Sequence, residues 1–209
     1  MASRNASTVI NPRTLYNLGY RFFRMPWELG PRAELVELVD SGRLPAGRAV
    51  DLGCGTGANA IFLAQHGFDV TGIDFAPAGL AKARAAAVRA GTTVHFVQDD
   101  LTALRGDIGV FDVLVDYGTL DDLTAPNRDR YVHNVLPLAG PGARFLLWCF
   151  EWQPRGWERR LGVGPMAPGE VRRRFGEHFD IERIAGTDEP NLRRFIPGNA
   201  AYLMTRKPL

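Results

Sequence analysis

The chain has 209 residues, 23% of them charged, and a formal net charge of +2 at pH 7. That length fits one domain with a sizeable core, and so small a net charge offers no basic surface on the scale that nucleic acid demands. Two cysteines, Cys54 and Cys149, are too few for a disulfide framework, and no run approaches the roughly 18 apolar residues of a membrane span.

The opening residues lack the apolar stretch of a secretory signal. The expected setting is therefore cytoplasmic, with neither membrane nor nucleic acid as partner and a monomer or homodimer as the assembly. Residues 1–12 read as disordered. Residues 13–25 carry Leu15, Tyr16, Leu18, Tyr20, Phe22 and Phe23, an aromatic-rich helical pattern. Pro31 opens a helix over 32–41 that Gly42 closes. A first strand over 49–52 precedes a helix over 58–66, stopped by Gly67. The second strand, 68–74, is followed by Pro77 and a helix over 78–90 that ends at Gly91.

Strands over 94–98 and 111–116 come next, then a helix over 126–136 halted by Pro137, then a strand over 144–150. Residues 151–168 are rich in Trp, Arg, Gly and Pro and read as irregular. A helix over 169–179 and two strands, 180–186 and 201–206, complete the chain, the strands as an antiparallel pair at the sheet edge. Strand–helix alternation through the first two thirds implies a parallel sheet wrapped by helices on both faces. There is no internal repeat and no interior linker.

Residues 49–59 carry the chemistry. The first strand ends in Asp51, and Gly53, Gly55 and Gly57 alternate before the next helix begins at Ala58. Glycines there let the backbone turn tightly and approach a ligand, while the helix start turns unpaired N–H groups toward the same crevice. This reads as a nucleotide-type cofactor loop. A carboxylate at Asp51 would repel a pyrophosphate, yet it suits a ligand bearing a sulfonium and an ammonium. Asp74 closes the second strand about twenty residues on, where a ribose diol needs an acceptor. Asp99, Asp100 and Leu101 close the third, placed to meet an adenine edge. All these acids, with Asp116, fall at the strand ends where open α/β sheets bind ligands.

The ordered set Val50-Asp51-Leu52-Gly53-Cys54-Gly55-Thr56-Gly57, Gly72-Ile73-Asp74, Gln98-Asp99-Asp100-Leu101 and Phe111-Asp112-Val113-Leu114-Val115-Asp116 resembles class I S-adenosylmethionine-dependent methyltransferases over residues 48–150. The resemblance implies a Rossmann-like, mostly parallel seven-stranded sheet with helices on both faces. Its antiparallel last strand is expected between the fifth and sixth. It implies S-adenosylmethionine as cofactor, with Gly53, Gly55 and Gly57 along the methionine and ribose. Asp74 would hold the ribose hydroxyls, Phe75 would lie beside the adenine, and Asp99 or Asp100 would accept from its amino group. The family's glycine stands at Asp99, which favours Asp100.

Pro26-Trp27-Glu28-Leu29-Gly30 resembles the Trp-acid stretch of thiopurine and tellurite-resistance methyltransferases, whose N-terminal part folds over the cofactor. That divides the chain into a lid segment, 1–30, and a methyltransferase domain, 31–209, with Trp27 at the cofactor. Trp27 as a core anchor is the alternative. The acceptor would be small and hydrophobic or aromatic, methylated on O, N or S. Asp116-Tyr117-Gly118-Thr119-Leu120-Asp121-Asp122 is the natural acceptor segment. Tyr117 would orient the acceptor, and Asp116, Asp121 or Asp122 would take a proton where the nucleophile arrives protonated. No histidine stands there, unlike in many relatives, and no metal is expected. Trp148, Trp152 and Trp157 with Arg155, Arg159 and Arg160 fit a substrate wall, a lid or a dimer contact. A non-catalytic cofactor-binding protein and an NAD-dependent oxidoreductase stand as alternatives, the latter disfavoured by Asp51.

Overall fold

The computed structural model describes residues 12–153, 164–187 and 198–208, with backbone alone at residues 12 and 13. Of residues 1–12, expected to be disordered, 1–11 lie outside the described residues, as do Arg155, Trp157, Arg159 and Arg160, while Pro12 opens a helix. Helices α1 (Pro12–Phe22) and α2 (Ala33–Asp40) precede β1 (Arg48–Leu52). Then follow α3 (Ala58–Gln65), β2 (Asp69–Asp74), α4 (Pro77–Arg89), β3 (His95–Gln98), β4 (Phe111–Tyr117) and α5 (Ala125–Val135). A short 3-10 turn leads into β5 (Ala139–Phe150), and α6 (Glu170–Phe175), β6 (Phe179–Thr187) and β7 (Asn199–Arg206) complete the order.

The seven strands form one sheet in the order β3-β2-β1-β4-β5-β7-β6. The first five are parallel, and β7 runs antiparallel to both β5 and β6. This is the expected Rossmann-like arrangement, with β7 inserted beside β5 and β6 alone at the edge. Alternation along the strands splits the core between two faces. Val50, Leu114, Phe145 and Leu147 pack on one side with Tyr131 of α5 and Phe175 of α6. Ala49, Val113, Val115 and Leu146 pack on the other with Leu35, Leu63 and Leu80 of α2, α3 and α4. Burial on both faces is what makes the strands read as near-continuous apolar runs.

Two elements depart from expectation. β5 begins five residues early, because Gly140-Pro141-Gly142 forms an irregularity in the pairing with β4 instead of ending the strand. The predicted helix over 169–179 is only six residues long. The His178 amide turns back to the Phe175 carbonyl, and Phe179 is drawn into the core as the first residue of β6.

Candidate active site

A cavity of about 750 Å³ opens at the carboxyl ends of β1, β2, β3 and β4, where the strand order reverses. Its floor is the β1–α3 loop. The Gly53 and Cys54 amides donate to the Ile73 carbonyl, and the Gly55 amide donates to Asp74 Oδ2 at 2.8 Å. Asp74 Oδ1 accepts from the Ala76 amide at 2.7 Å, so one carboxylate ties the loop to the start of α4. Gly55 has φ 53°, and a Cβ there would lie 2.8 Å from the Tyr20 hydroxyl. The roof comes down too closely for any side chain.

Gly57 does different work from the other two loop glycines. It does not line the cavity, contrary to expectation. Its missing Cβ leaves room for Ala83 and Phe96, which would stand 3.0 and 3.1 Å away, so it serves packing of α3 against α4 and β3.

Asp51 and Asp74 are both buried at the cavity floor. Burial pushes Asp51 up to about 7, against the Ala60 amide that lowers it, and burial raises Asp74 as well. The Arg32 guanidinium eases Asp51 in the same sense as the Ala60 amide. On the β3 side, Asp99 accepts from the Arg105 amide and guanidinium and from the Asp100 amide. Burial alone would raise its pKa, but these donors hold it below the usual range. Asp100 Oδ1 accepts from the amide and hydroxyl of Thr102. Asp99, Asp100, Leu101 and Phe75 all line the cavity.

The roof is α1 and the turn after it. Tyr16 and Tyr20, four residues apart on one helix side, both line the cavity. Tyr16 meets Phe75 edge-on at 5.9 Å between centroids, and its hydroxyl donates to Asp122. Trp27 is 41% exposed, lines the cavity and donates from Nε1 to the Tyr20 hydroxyl at 2.9 Å. It is a roof residue, not a core anchor.

An aromatic wall closes the far side. The Tyr117 ring stacks on Trp148 at 4.7 Å and 9°, while the Arg32 guanidinium covers it at 4.5 Å. With one neighbour stacked on it and the other over it, the Tyr117 ring is held in place, and its hydroxyl donates to Glu34 at 2.9 Å. Trp148 meets Phe150 edge-on at 4.9 Å, and both rings line the cavity.

Two expected acids turn away. Asp116 is fully buried and does not line the cavity. Its carboxylate accepts from the Thr119 and Leu120 amides and from the Tyr131 hydroxyl at 2.5 Å, so it braces the turn after β4. The expectation that it meets cofactor or acceptor is corrected. Asp121 is likewise buried, with Oδ2 accepting from the Phe150 amide and Oδ1 lacking a partner among the described residues. Burial raises each of these two to about 7. Of the three acids over 116–122, Asp122 is the one that lines the cavity, raised by burial and eased by the Tyr16 hydroxyl.

Reading the sequence missed Tyr16, Tyr20 and Arg32 as cavity residues. The i, i+4 spacing of the two tyrosines was the available signal. Among the described residues no cluster of three or more His, Cys, Asp or Glu is arranged to hold a metal ion.

Residues 49–142 match the model of a methyltransferase domain. The chain is 31% identical over 166 residues to the 2-heptyl-1-hydroxyquinolin-4(1H)-one methyltransferase of Mycobacteroides abscessus, covering 78% of this chain and 71% of that protein. It is 30% identical to the ubiquinone biosynthesis O-methyltransferase of Pectobacterium atrosepticum, over 76% of this chain and 67% of that protein. Among solved structures, the magnesium protoporphyrin IX methyltransferase of Synechocystis PCC 6803 with S-adenosylmethionine bound shares the fold. Its TM-score is 0.71 at 20% identity, over 96% of this chain and 99% of that one.

Proposed function

Because the chain belongs to the S-adenosylmethionine-dependent methyltransferases, we propose that its cavity holds the cofactor along the β1–α3 loop and a small aromatic acceptor against Trp148. The residues present fit the cofactor. The cavity volume lies within the roughly 300–1,000 Å³ of small-molecule sites. Two desolvated carboxylates at its floor favour a ligand that carries positive charge, because such a ligand restores their ionised form. These features support the family's assignment and disfavour a dinucleotide.

In this reading Gly53 and Gly55 let the backbone close on the methionine and ribose, and Asp51 faces the cationic end. Asp74 accepts from the ribose hydroxyls with the lone pairs its backbone contacts leave. Phe75 covers one adenine face, and Leu101 packs beside the ring. Asp100 accepts from the adenine amino group, since Asp99 is committed to Arg105. When bound, S-adenosylmethionine supplies an electrophilic methyl group on a sulfonium, open to in-line attack by a lone pair on O, N or S.

The aromatic wall carries the acceptor assignment. Trp148 and Phe150 present apolar ring surface to the cavity, and Tyr117, which lines it too, is fixed against Trp148 by Arg32 and Glu34. Tyr117 therefore positions the platform. Its burial and its bond to Glu34 hold its pKa above the ordinary range, so it is no base. Asp122 is the carboxylate that would take a proton from a hydroxyl, amine or thiol. Exclusion of water by α1 and correct placement supply much of the acceleration. The quinolone and ubiquinone-pathway names of the relatives agree with a flat, apolar acceptor.

Within the family, Trp27 on the roof supports a place near the thiopurine and tellurite-resistance enzymes, with residues 1–30 as lid and 31–209 as the methyltransferase domain. The test is a screen of hydroxylated quinolines, phenols and aromatic thiols, read by mass gain of one methyl group with S-adenosylmethionine present. Methylation of aliphatic acceptors alone would remove the aromatic assignment.

A further inference from the structure

The outer side of α1 carries an apolar face left open among the described residues. Leu15, Leu18 and Phe22 fall at i, i+3 and i+7 on one side of the helix and are 60%, 41% and 64% exposed. Phe23 follows at 69%. On the helix and the turn after it, the exposed charges have one sign. The helix contains no acid, Arg21 and Arg24 are exposed, and Glu28, the acid that follows, is paired with Lys82 at 3.1 Å. Contiguous exposed apolar residues framed by charge mark an interaction surface.

We propose that this face docks on an anionic lipid bilayer, with α1 lying in the headgroup plane and its Leu and Phe side chains in the acyl boundary. Apolar residues on one side with arginines flanking them are the pattern of helices that lie on such surfaces. A second copy of the chain across a two-fold axis is disfavoured, since both faces would bring exposed arginines and neither would bring an acid of the helix to meet them. No helix among the described residues is long and apolar enough to cross a membrane, so the contact is peripheral. It departs from the expectation that membranes play no part. Trp27 and Leu29, just beyond the helix, are exposed and also line the cavity, so docking brings the cavity mouth to the lipid surface.

The test is co-sedimentation of the full chain with vesicles of phosphatidylcholine alone, or of phosphatidylcholine with phosphatidylglycerol. Two arginines near an anionic surface give an expected preference of roughly thirtyfold for the charged vesicles, weakening as salt is raised. Leu18→Asp with Phe22→Asp is expected to lower that binding at least tenfold, and Arg21→Glu with Arg24→Glu to remove the preference for charge. Circular dichroism and the melting temperature, unchanged in both variants, would show that the fold is kept. Three results would overturn the proposal: wild-type protein left in solution by charged vesicles, equal binding to neutral vesicles, or a concentration-dependent dimer that Phe22→Asp dissociates.

Discussion

The Tyr16 hydroxyl donates to the Asp122 carboxylate, joining α1 to the turn after β4 across 106 residues of sequence. This bond couples the roof to the acid of the turn after β4 that lines the cavity. It also lowers the Asp122 pKa against the burial that raises it.

Tyr16→Phe should therefore act twice. Loss of a hydrogen bond to a charged group, about 1.5–3 kcal/mol, loosens the roof and should weaken cofactor affinity roughly tenfold or less, part of the loss falling on local order instead. The Asp122 pKa should rise further. A base works only when deprotonated, so the acid limb of the kcat/KM profile should move to higher pH. An unmoved limb would remove Asp122 as the base.

Trp148→Ala should raise the acceptor KM at least tenfold, by removing both the ring platform and the stacked support of Tyr117. Affinity for S-adenosylhomocysteine should change little, because Trp148 stands on β5, separated by β4 from β1 and the glycine loop that follows it. Steady-state kinetics with a methylated aromatic acceptor, beside calorimetry, separates the two effects.

Asp100→Ala and Asp99→Ala should differ in kind. Removing Asp100 should weaken cofactor binding by about 1–2 kcal/mol and, by releasing Thr102, lower the melting temperature less than the loss of Asp99 does. Removing Asp99 frees Arg105 and its amide, so stability should fall further. Differential scanning calorimetry with ligand titration distinguishes them.

Asp51, Asp116 and Asp121 give the protein an unusual dependence on pH. Each is raised by burial to about 7 in the folded chain, against an ordinary value of 3.8. Between those values the folded chain holds protons that the unfolded chain releases, so stability should fall as pH rises from about 4 to 7. Asp121→Asn keeps an acceptor for the Phe150 amide and removes one titration. Its melting temperature should fall less between pH 5 and 8 than that of the wild type.

What the sequence made legible was local. Asp51, Gly53, Gly55 and Asp74 lie within 24 residues, and the chemistry of a tight turn with a nearby acid constrains them whatever the rest of the chain does. Long-range partnerships were not legible. Nothing in residues 113–122 says that Asp116 turns inward to Tyr131 while Asp122 turns outward to Tyr16, because a strand-end position fixes the backbone and not the side of the loop its carboxylate takes. Arg32 over Tyr117 is equally silent in sequence, since α2 and β4 meet only through the fold. Gly57 looked like its two neighbours, and only the closeness of Ala83 and Phe96 assigns it to packing.

The most direct test of the account is calorimetric titration of the purified chain with S-adenosylmethionine, S-adenosylhomocysteine and NADH in parallel, repeated with Asp74→Ala. Micromolar binding of both adenosyl ligands and none of NADH is expected, with a loss of more than about 1.4 kcal/mol, or tenfold, in the variant. Binding of NADH alone, or unchanged affinity in Asp74→Ala, would contradict it.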